Sequence, residues 1–162
     1  MKHELTLRSR ALQYLARREY SRAELAAKLH PYVQIEDDFE QLQPVNLDEL
    51  LDDLEASGYL SDERATAQLL HARRPRFGTQ RITHEMRQKG ISEELIENAL
   101  PELKESELET ARSVWQRKFG ARAHDQHDAK ERARQMRFLQ SRGFSLDVIF
   151  KVLKTAETEE DQ

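Results

Sequence analysis

The fold of this chain is indicated by the stretch MRQKGISEELIENAL, residues 86 to 100, because a second version, LQSRGFSLDVIFKVL, follows at residues 139 to 153. A shift of 53 positions places Gly90 on Gly143 and aligns the apolar residues that follow them. A weaker third version, LEASGYLSDERATAQLL, begins at Leu54. Self-similarity at a fixed spacing of a few tens of residues is typical of proteins built from repeated small units. The sequence therefore predicts a short array of such units.

Each copy predicts a corner between two helices. Gly reaches the left-handed backbone conformation at little cost, so Gly90 and Gly143 can each end a helix. Ser92 and Ser145 follow at the position where a hydroxyl would cap the next helix. Apolar residues then recur at helical spacing and are expected to form the core: Leu95, Ile96, Ala99 and Leu100 in one copy, and Val148, Ile149, Val152 and Leu153 in the other.

The composition agrees with a helical protein. Of the 162 residues, 35% are charged, and there are only five Gly and four Pro. Such a chain is suited to polar-faced helices rather than to tight strand turns. Capping signals and apolar periodicity along the chain give nine helices in three sets of three. We therefore predict an all-α fold of three tandem three-helix repeats, stacked into an elongated, curved body.

Helix start and stop signals also place the repeats. The segment SRAE, Ser21 to Glu24, is a capping-box pattern that opens the second helix, which His30-Pro31 is expected to close. The predicted repeats are 1–60, with an irregular insertion at about 31–46; 61–103, ending in a helix from Ser92 to Leu100; and 104–156, beginning with a helix from about Glu105 to Phe119. An acidic tail, 157–162, is expected to be frayed.

Charges are sorted into blocks along the chain, although the net charge is only −4. Residues 36–63 hold eleven acids and no Lys or Arg, whereas residues 71–90 have a net charge of +5. Residues 91–110 return to −6, and residues 112–142 rise to +6. Such alternation indicates separate surfaces of opposite potential, or helix faces whose charges pair with one another.

The sequence offers little sign of catalytic chemistry. The segment HDQH, His124 to His127, has the spacing of two metal ligands, but it lies in a polar connection with no helical frame, which favours a solvated loop. No Gly-rich phosphate loop or nucleophile elbow is present. We therefore expect no enzymatic activity, no cofactor and no metal. The absence of cysteine and of any long apolar run favours a cytoplasmic protein without a membrane segment.

Five segments occur in an order that resembles one known family. They are YSRAELAAKL (20–29), GYLSDER (58–64), RFGTQRITHEMRQKGI (76–91), RKFG (117–120) and RFLQSRGFS (137–145). Together they resemble the RecX family of bacterial RecA regulators, across nearly the whole chain except the 31–46 insertion and the last few residues. The resemblance implies three tandem three-helix repeats, in agreement with the periodicity.

The resemblance also implies a partner and an activity. Family members modulate RecA, usually by binding its nucleoprotein filament and suppressing ATP hydrolysis and strand exchange in recombination, DNA repair and the SOS response. The expected partner is therefore RecA or the RecA–DNA filament, with weak direct binding of DNA as a second expectation. The chain itself is expected to be monomeric. Two alternatives remain, a stand-alone sequence-independent DNA-binding module and a helical scaffold for another cytosolic protein.

Basic residues are the candidates for contact with an anionic partner, through bidentate or point-charge interactions with phosphates or carboxylates. Six lie in the middle repeat: Arg73, Arg74, Arg76, Arg81, Arg87 and Lys89. Seven more extend the predicted surface into the third repeat: Arg117, Lys118, Lys130, Arg132, Arg134, Arg137 and Arg142. Three of these, Arg132, Arg134 and Arg137, lie on one predicted helix and cannot all point the same way. At least one of them is therefore expected to pair with a carboxylate of the chain itself.

Overall fold

The computed structural model describes residues 5–37, 46–120 and 128–160. These ranges contain eight α-helices and no β-strand: α1 (Leu7–Leu15), α2 (Arg22–Asp37), α3 (Leu47–Ala56), α4 (Asp62–Arg73), α5 (Thr79–Gln88), α6 (Glu93–Phe119), α7 (Ala129–Ser141) and α8 (Leu146–Glu160). The predicted all-α class is confirmed.

The prediction of nine helices is wrong within the described ranges, because two predicted helices are one. The helix expected to end at Leu100 continues through Pro101 into the next, and α6 is 27 residues long. No Gly occurs between Leu100 and Phe119 to provide a left-handed helix end. Pro101 is exposed, and the solvent side of a helix is where carbonyls tilt outward and a missing hydrogen bond is best tolerated.

The predicted irregular insertion is wrong over residues 31–37. Helix α2 continues through Pro31 to Asp37 instead of closing at that proline, which again lies on an exposed face. Residues 38–45 lie outside the described part. Helix α8 extends into the predicted acidic tail and ends at Glu160. No Gly or Pro follows Leu153, and buried Ala156 anchors the extension.

Local capping follows the sequence signals. The backbone N–H of Ser21 donates to the Glu24 carboxylate at 3.0 Å, and the Glu24 N–H donates back to the Ser21 hydroxyl at 3.1 Å, so the capping box is confirmed. Gly90 has φ +68° and Gly143 has φ +87°, which confirms both left-handed corners. Gly58, in the weaker third version, has φ +77°.

The chain divides into two compact units, each with its own core. The first comprises Met1–Gln68 and Gln88–Ser92, and the second comprises Leu69–Arg87 and Glu93–Gln162. The core of the first unit is largely leucine: Leu7, Ala11, Tyr20, Leu25, Leu29, Leu51, Leu54 and Leu60. The core of the second unit includes aromatic residues: Ala111, Val114, Trp115, Phe119, Leu139, Phe144, Ile149, Val152, Leu153 and Ala156.

In the first unit, the N-terminus of α2 docks on the corner at Gly90. The Ser21 hydroxyl donates to the backbone carbonyl of Lys89, and the backbone N–H of Arg22 donates to the Asp62 carboxylate at 2.7 Å. A Cβ added to Gly90 would collide with the Cβ of Ala23. We call such a contact between a helix N-terminus and a glycine corner a junction.

The second unit contains a junction of the same kind, between the N-terminus of α5 and the corner at Gly143. The backbone N–H of Gly78 donates to the carbonyl of Arg142 at 2.8 Å, and that of Gln80 donates to the carbonyl of Gly143 at 3.2 Å. The backbone N–H of Thr79 donates to the buried carboxylate of Glu107 at 3.2 Å. In both junctions a distant carboxylate accepts from a backbone N–H at the start of the helix. The corner carbonyl accepts from a serine hydroxyl in the first junction and from backbone N–H groups in the second.

The corner at Gly58 differs from these two. Within the described part of the chain, no atom lies within 4 Å of a Cβ built on Gly58. The neighbouring Tyr59 is 52% exposed. The left-handed glycine is therefore used here for the turn alone, whereas Gly90 and Gly143 also permit a close helix contact.

Candidate anion-binding surface

Within the described part of the chain, carboxylates hold at least five of the thirteen basic candidates. The pairs are Arg73 with Glu85 (2.8 Å), Arg74 with Glu102, Arg87 with Glu93 (2.7 Å), Lys89 with Glu24 (2.6 Å) and Arg134 with Glu131 (3.3 Å). The last pair confirms that at least one arginine of α7 is used internally. Two of these pairs, Arg74–Glu102 and Arg87–Glu93, join the basic block 71–90 to the acidic block 91–110. Each basic group in the five pairs already has an anionic partner.

Two of these pairs are bidentate. The guanidinium of Arg73 donates two hydrogen bonds to Glu85, at 2.8 and 3.0 Å, and that of Arg87 donates two to Glu93, at 2.7 and 3.1 Å. Hydrogen bonding to Glu85 raises the pKa of Arg73, and hydrogen bonding to Glu93 raises that of Arg87. The pKa of Glu93 falls in return. Both arginines therefore stay charged and locally neutralised.

A second group of basic residues surrounds an open cleft in the second unit. The cleft has a volume of about 370 Å³ and is lined by Arg76, Val114, Arg117, Lys118, Phe138 and Arg142. We call it the basic cleft. Its lining contains four cations, a phenyl ring and an aliphatic side chain, and no carboxylate among the described residues. This combination can accept an anion that also has an apolar part.

Two phenylalanines organise the cations. The ring of Phe77 has the guanidinium of Arg81 at 4.2 Å and that of Arg142 at 5.3 Å from its centroid. The ring of Phe138 has Arg142 at 5.2 Å and the Lys118 ammonium at 5.7 Å. Cations at these distances are attracted by the ring quadrupole. The positive charges are therefore held beside aromatic faces.

Backbone carbonyls orient the guanidinium groups of Arg117 and Arg81. Arg117 donates to the carbonyl of Pro75 at 2.9 Å, and Arg81 donates to that of Ser141 at 3.0 Å. A carbonyl orients a guanidinium without cancelling its charge. Within the described ranges, no ion pair forms at Arg81 or at any of the four cleft cations, in contrast to the five paired residues.

The other three candidates lie on α7. Lys130 and Arg137 are exposed, and Arg132 is half-buried. The backbone N–H of Lys130 donates to Asp128, the N-cap of α7, at 2.9 Å. The structure thus brings Arg76, Arg117, Lys118 and Arg142 together, with Arg81 nearby, and these residues come from both basic blocks of the sequence.

Sequence reasoning missed the roles of Phe77 and Phe138. Both directly follow an arginine, in Arg76-Phe77 and Arg137-Phe138, and this repeated pair was the available signal. The Phe77 ring has one cation nearby in sequence, Arg81, and a second, Arg142, from a distant corner, which is a contact that no local pattern contains.

Other classes of site find no support in the described ranges. There, no three His, Asp or Glu side chains are grouped so as to hold a metal ion. The HDQH segment lies outside the described residues. Of the helices that the structure describes, none has the length and apolarity needed to cross a membrane.

Comparisons with known proteins point to one family. Residues 61–100 match a model described as RecX, second three-helix domain, and residues 105–153 match RecX, third three-helix domain. A regulatory protein RecX from Leptothrix cholodnii is 46% identical over 98% of this chain and 94% of its own length. One from Herbaspirillum seropedicae is 45% identical over 97% and 95%.

A solved structure shares the fold. The crystal structure of RecX from Lactobacillus salivarius superposes with a TM-score of 0.72 and covers 94% of this chain and 95% of that one. Sequence identity is only 18%, so this similarity concerns architecture alone. It agrees with the helical fold described above.

Proposed function

The chain belongs to the RecX family of regulatory proteins, and from that premise we propose that it binds the RecA–DNA filament and lowers its ATP hydrolysis and strand exchange. Family membership assigns a regulatory role. The partner and the direction of the effect follow from the sequence resemblance and from the chemistry of the basic cleft.

The observation that supports this proposal best is the set of cations in the basic cleft that lack carboxylate partners. The chain as a whole is acidic, with a net charge of −4, yet four cations converge on one cleft. A filament of protein wound on DNA presents phosphates and carboxylates along its length. A local positive surface on an acidic protein selects such a partner while general attraction to nucleic acid stays low.

Inhibition follows if binding favours one state of the filament. A ligand shifts a conformational equilibrium only by the difference between its affinities for the two states. If the chain binds tightest to a filament state in which ATP turns over slowly, that state accumulates and hydrolysis falls. No catalytic group on the chain is needed for this effect.

The test is ATP hydrolysis by RecA on single-stranded DNA, titrated with purified protein at two salt concentrations. Wild type should inhibit, and less at high salt, because contacts between exposed charges are screened. The double variant Arg76→Glu/Lys118→Glu should bind the filament weakly and inhibit little, with unchanged helix content. Both side chains are exposed, and surface changes usually alter stability by only about 0.5 kcal/mol.

The matched control reverses an ion pair outside the cleft. Arg87→Glu/Glu93→Arg keeps the pair and the net charge, and it should inhibit like wild type. If this control variant lost inhibition while the cleft variant kept it, the contact with the filament would lie at the Arg87–Glu93 pair and not in the basic cleft. No inhibition and no filament binding by wild type would refute the proposal.

A further inference from the structure

We propose that the basic cleft binds one nucleotide unit of single-stranded DNA, with phosphate on the arginines and the base and sugar against Arg142, Phe138 and Val114. This inference deepens the proposed function. It rests on that function only in taking the DNA of the RecA filament as the strand that is bound in the cell. It assigns a ligand to the cleft that the family name does not.

The charge of the cleft favours a phosphodiester. Arg76, Arg117, Lys118 and Arg142 surround one opening, and no carboxylate pairs with them within the described ranges. Arg117 is already oriented by the carbonyl of Pro75. A planar guanidinium held in this way loses little conformational freedom when it binds a phosphate in a bidentate manner.

The apolar part of the lining distinguishes a single strand from a duplex. A duplex presents phosphates outward and keeps its bases stacked inside, so it would leave Val114 and Phe138 unused. A single strand can turn a base or sugar into the cleft. The guanidinium of Arg142 lies over the Phe138 ring at 5.2 Å, and a base stacked on that guanidinium would extend an existing column.

The size of the cleft limits the ligand. Its volume of about 370 Å³ lies near the lower end of the range of roughly 300–1,000 Å³ for small-molecule sites. This space suits one nucleotide unit rather than a folded nucleic acid. An acidic peptide could satisfy the cations, but its carboxylates alone would leave Phe138 and Val114 uncontacted, whereas a nucleotide unit combines the anionic and the apolar part in one group.

The direct test uses fluorescence anisotropy of labelled oligothymidylate with the full chain and no RecA. The variant Arg76→Ala/Lys118→Ala should weaken binding about tenfold at low salt. It should also reduce the slope of log K against log salt by roughly 1.4, because each lost phosphate contact on a single strand contributes roughly 0.7. Circular dichroism checks that both proteins remain folded.

The matched control, Arg87→Ala/Arg134→Ala, removes the same charge from two residues outside the cleft that are paired with carboxylates. It should change affinity less than about twofold. An equal loss in the two double variants would show general charge attraction, and the assignment of a site would be wrong.

A second probe separates the base from the phosphates without changing the protein. An abasic strand of the same length keeps every phosphate, and wild type should bind it about fivefold more weakly, the effect of losing one stacked base. A duplex should also bind more weakly than the single strand. Equal affinity for abasic and oligothymidylate strands would refute the nucleotide site and leave only a phosphate surface.

These outcomes are independent of the test with RecA. Wild type that inhibits RecA but fails to bind single strands would refute the nucleotide site and keep the proposed function, with protein carboxylates as the ligand. Wild type that binds single strands through the basic cleft but leaves RecA unaffected would refute the proposed function and keep the nucleotide site.

Discussion

Replacement of Gly143 by Ala should weaken the second unit more than the same change at Gly58 weakens the first. Both glycines have left-handed backbones, with φ of +87° and +77°. At Gly58, no described atom lies within 4 Å of the added Cβ. At Gly143 the added Cβ would collide with the Cβ of Arg81 and lie 2.6 Å from its backbone nitrogen.

The expected sizes follow from these two environments. The left-handed conformation costs a residue with a Cβ about 1–2 kcal/mol, and Gly58→Ala should lose that amount alone. Gly143→Ala must also push the N-terminus of α5 away. That movement endangers two backbone hydrogen bonds, from Gly78 and Gln80, each of which contributes about 0.5–1.5 kcal/mol. The total loss should therefore be about 2–5 kcal/mol.

Urea unfolding measures both losses. Circular dichroism follows all helices, while fluorescence of Trp115, the one tryptophan in the sequence, follows the core of the second unit. Gly143→Ala should shift the fluorescence midpoint strongly, and Gly58→Ala should act chiefly on the dichroism signal. The reasoning would be refuted by equal losses in the two variants, since backbone strain alone would then explain both.

Two further predictions concern the first unit. Gly90→Ala should destabilise the first unit, because the added Cβ collides with that of Ala23. Addition of Ala23→Gly should restore part of the lost urea midpoint. A double variant no more stable than Gly90→Ala would contradict this contact. Burial alone would raise the pKa of Glu24, but hydrogen bonds, led by that from Lys89, hold it below 4.5. Because the folded pKa is depressed, this stabilisation is present above about pH 4.5 and is lost as pH falls through the folded pKa. Glu24→Gln should therefore flatten the decline of the urea midpoint on acidification below about pH 4.5, and an unchanged decline would exclude this role.

The corners could be predicted because their conformation selects a residue type. A left-handed helix end strongly favours glycine, so Gly90 and Gly143 stand out in the sequence and align at one spacing. The capping box at Ser21 and Glu24 is equally local, since each side chain bonds the other's backbone. Such features depend on a few neighbouring residues and are readable from the chain.

The helix ends at prolines could not be read in this way. Pro31 and Pro101 look like stop signals, but each is exposed and lies within a continuous helix. Whether a helix tolerates a proline depends on which side faces solvent and on the burial of the residues beyond it, such as Leu103. Those are tertiary properties.

The cations of the candidate site were predictable from the sequence, but its apolar residues and its arrangement were not. Arg76 and Arg87 belong to the same basic block and look alike in the sequence. The structure pairs Arg87 with Glu93 and places Arg76 in a cleft with Arg142. That difference arises because the fold brings residues 66 positions apart in the chain to one cleft, which a charge count cannot reveal.

The two junctions suggest a rule for engineering longer proteins of this type. The carboxylate that accepts in the first junction is that of Asp62, the first residue of α4. The first residue of α1 is instead Leu7, which is buried in the leucine core. A designer who grafted another three-helix module ahead of α1 would therefore not find this acceptor in the first residue of α1. A new junction would need the three parts that both described junctions have: a left-handed glycine that permits a close helix contact, a corner carbonyl and a carboxylate acceptor.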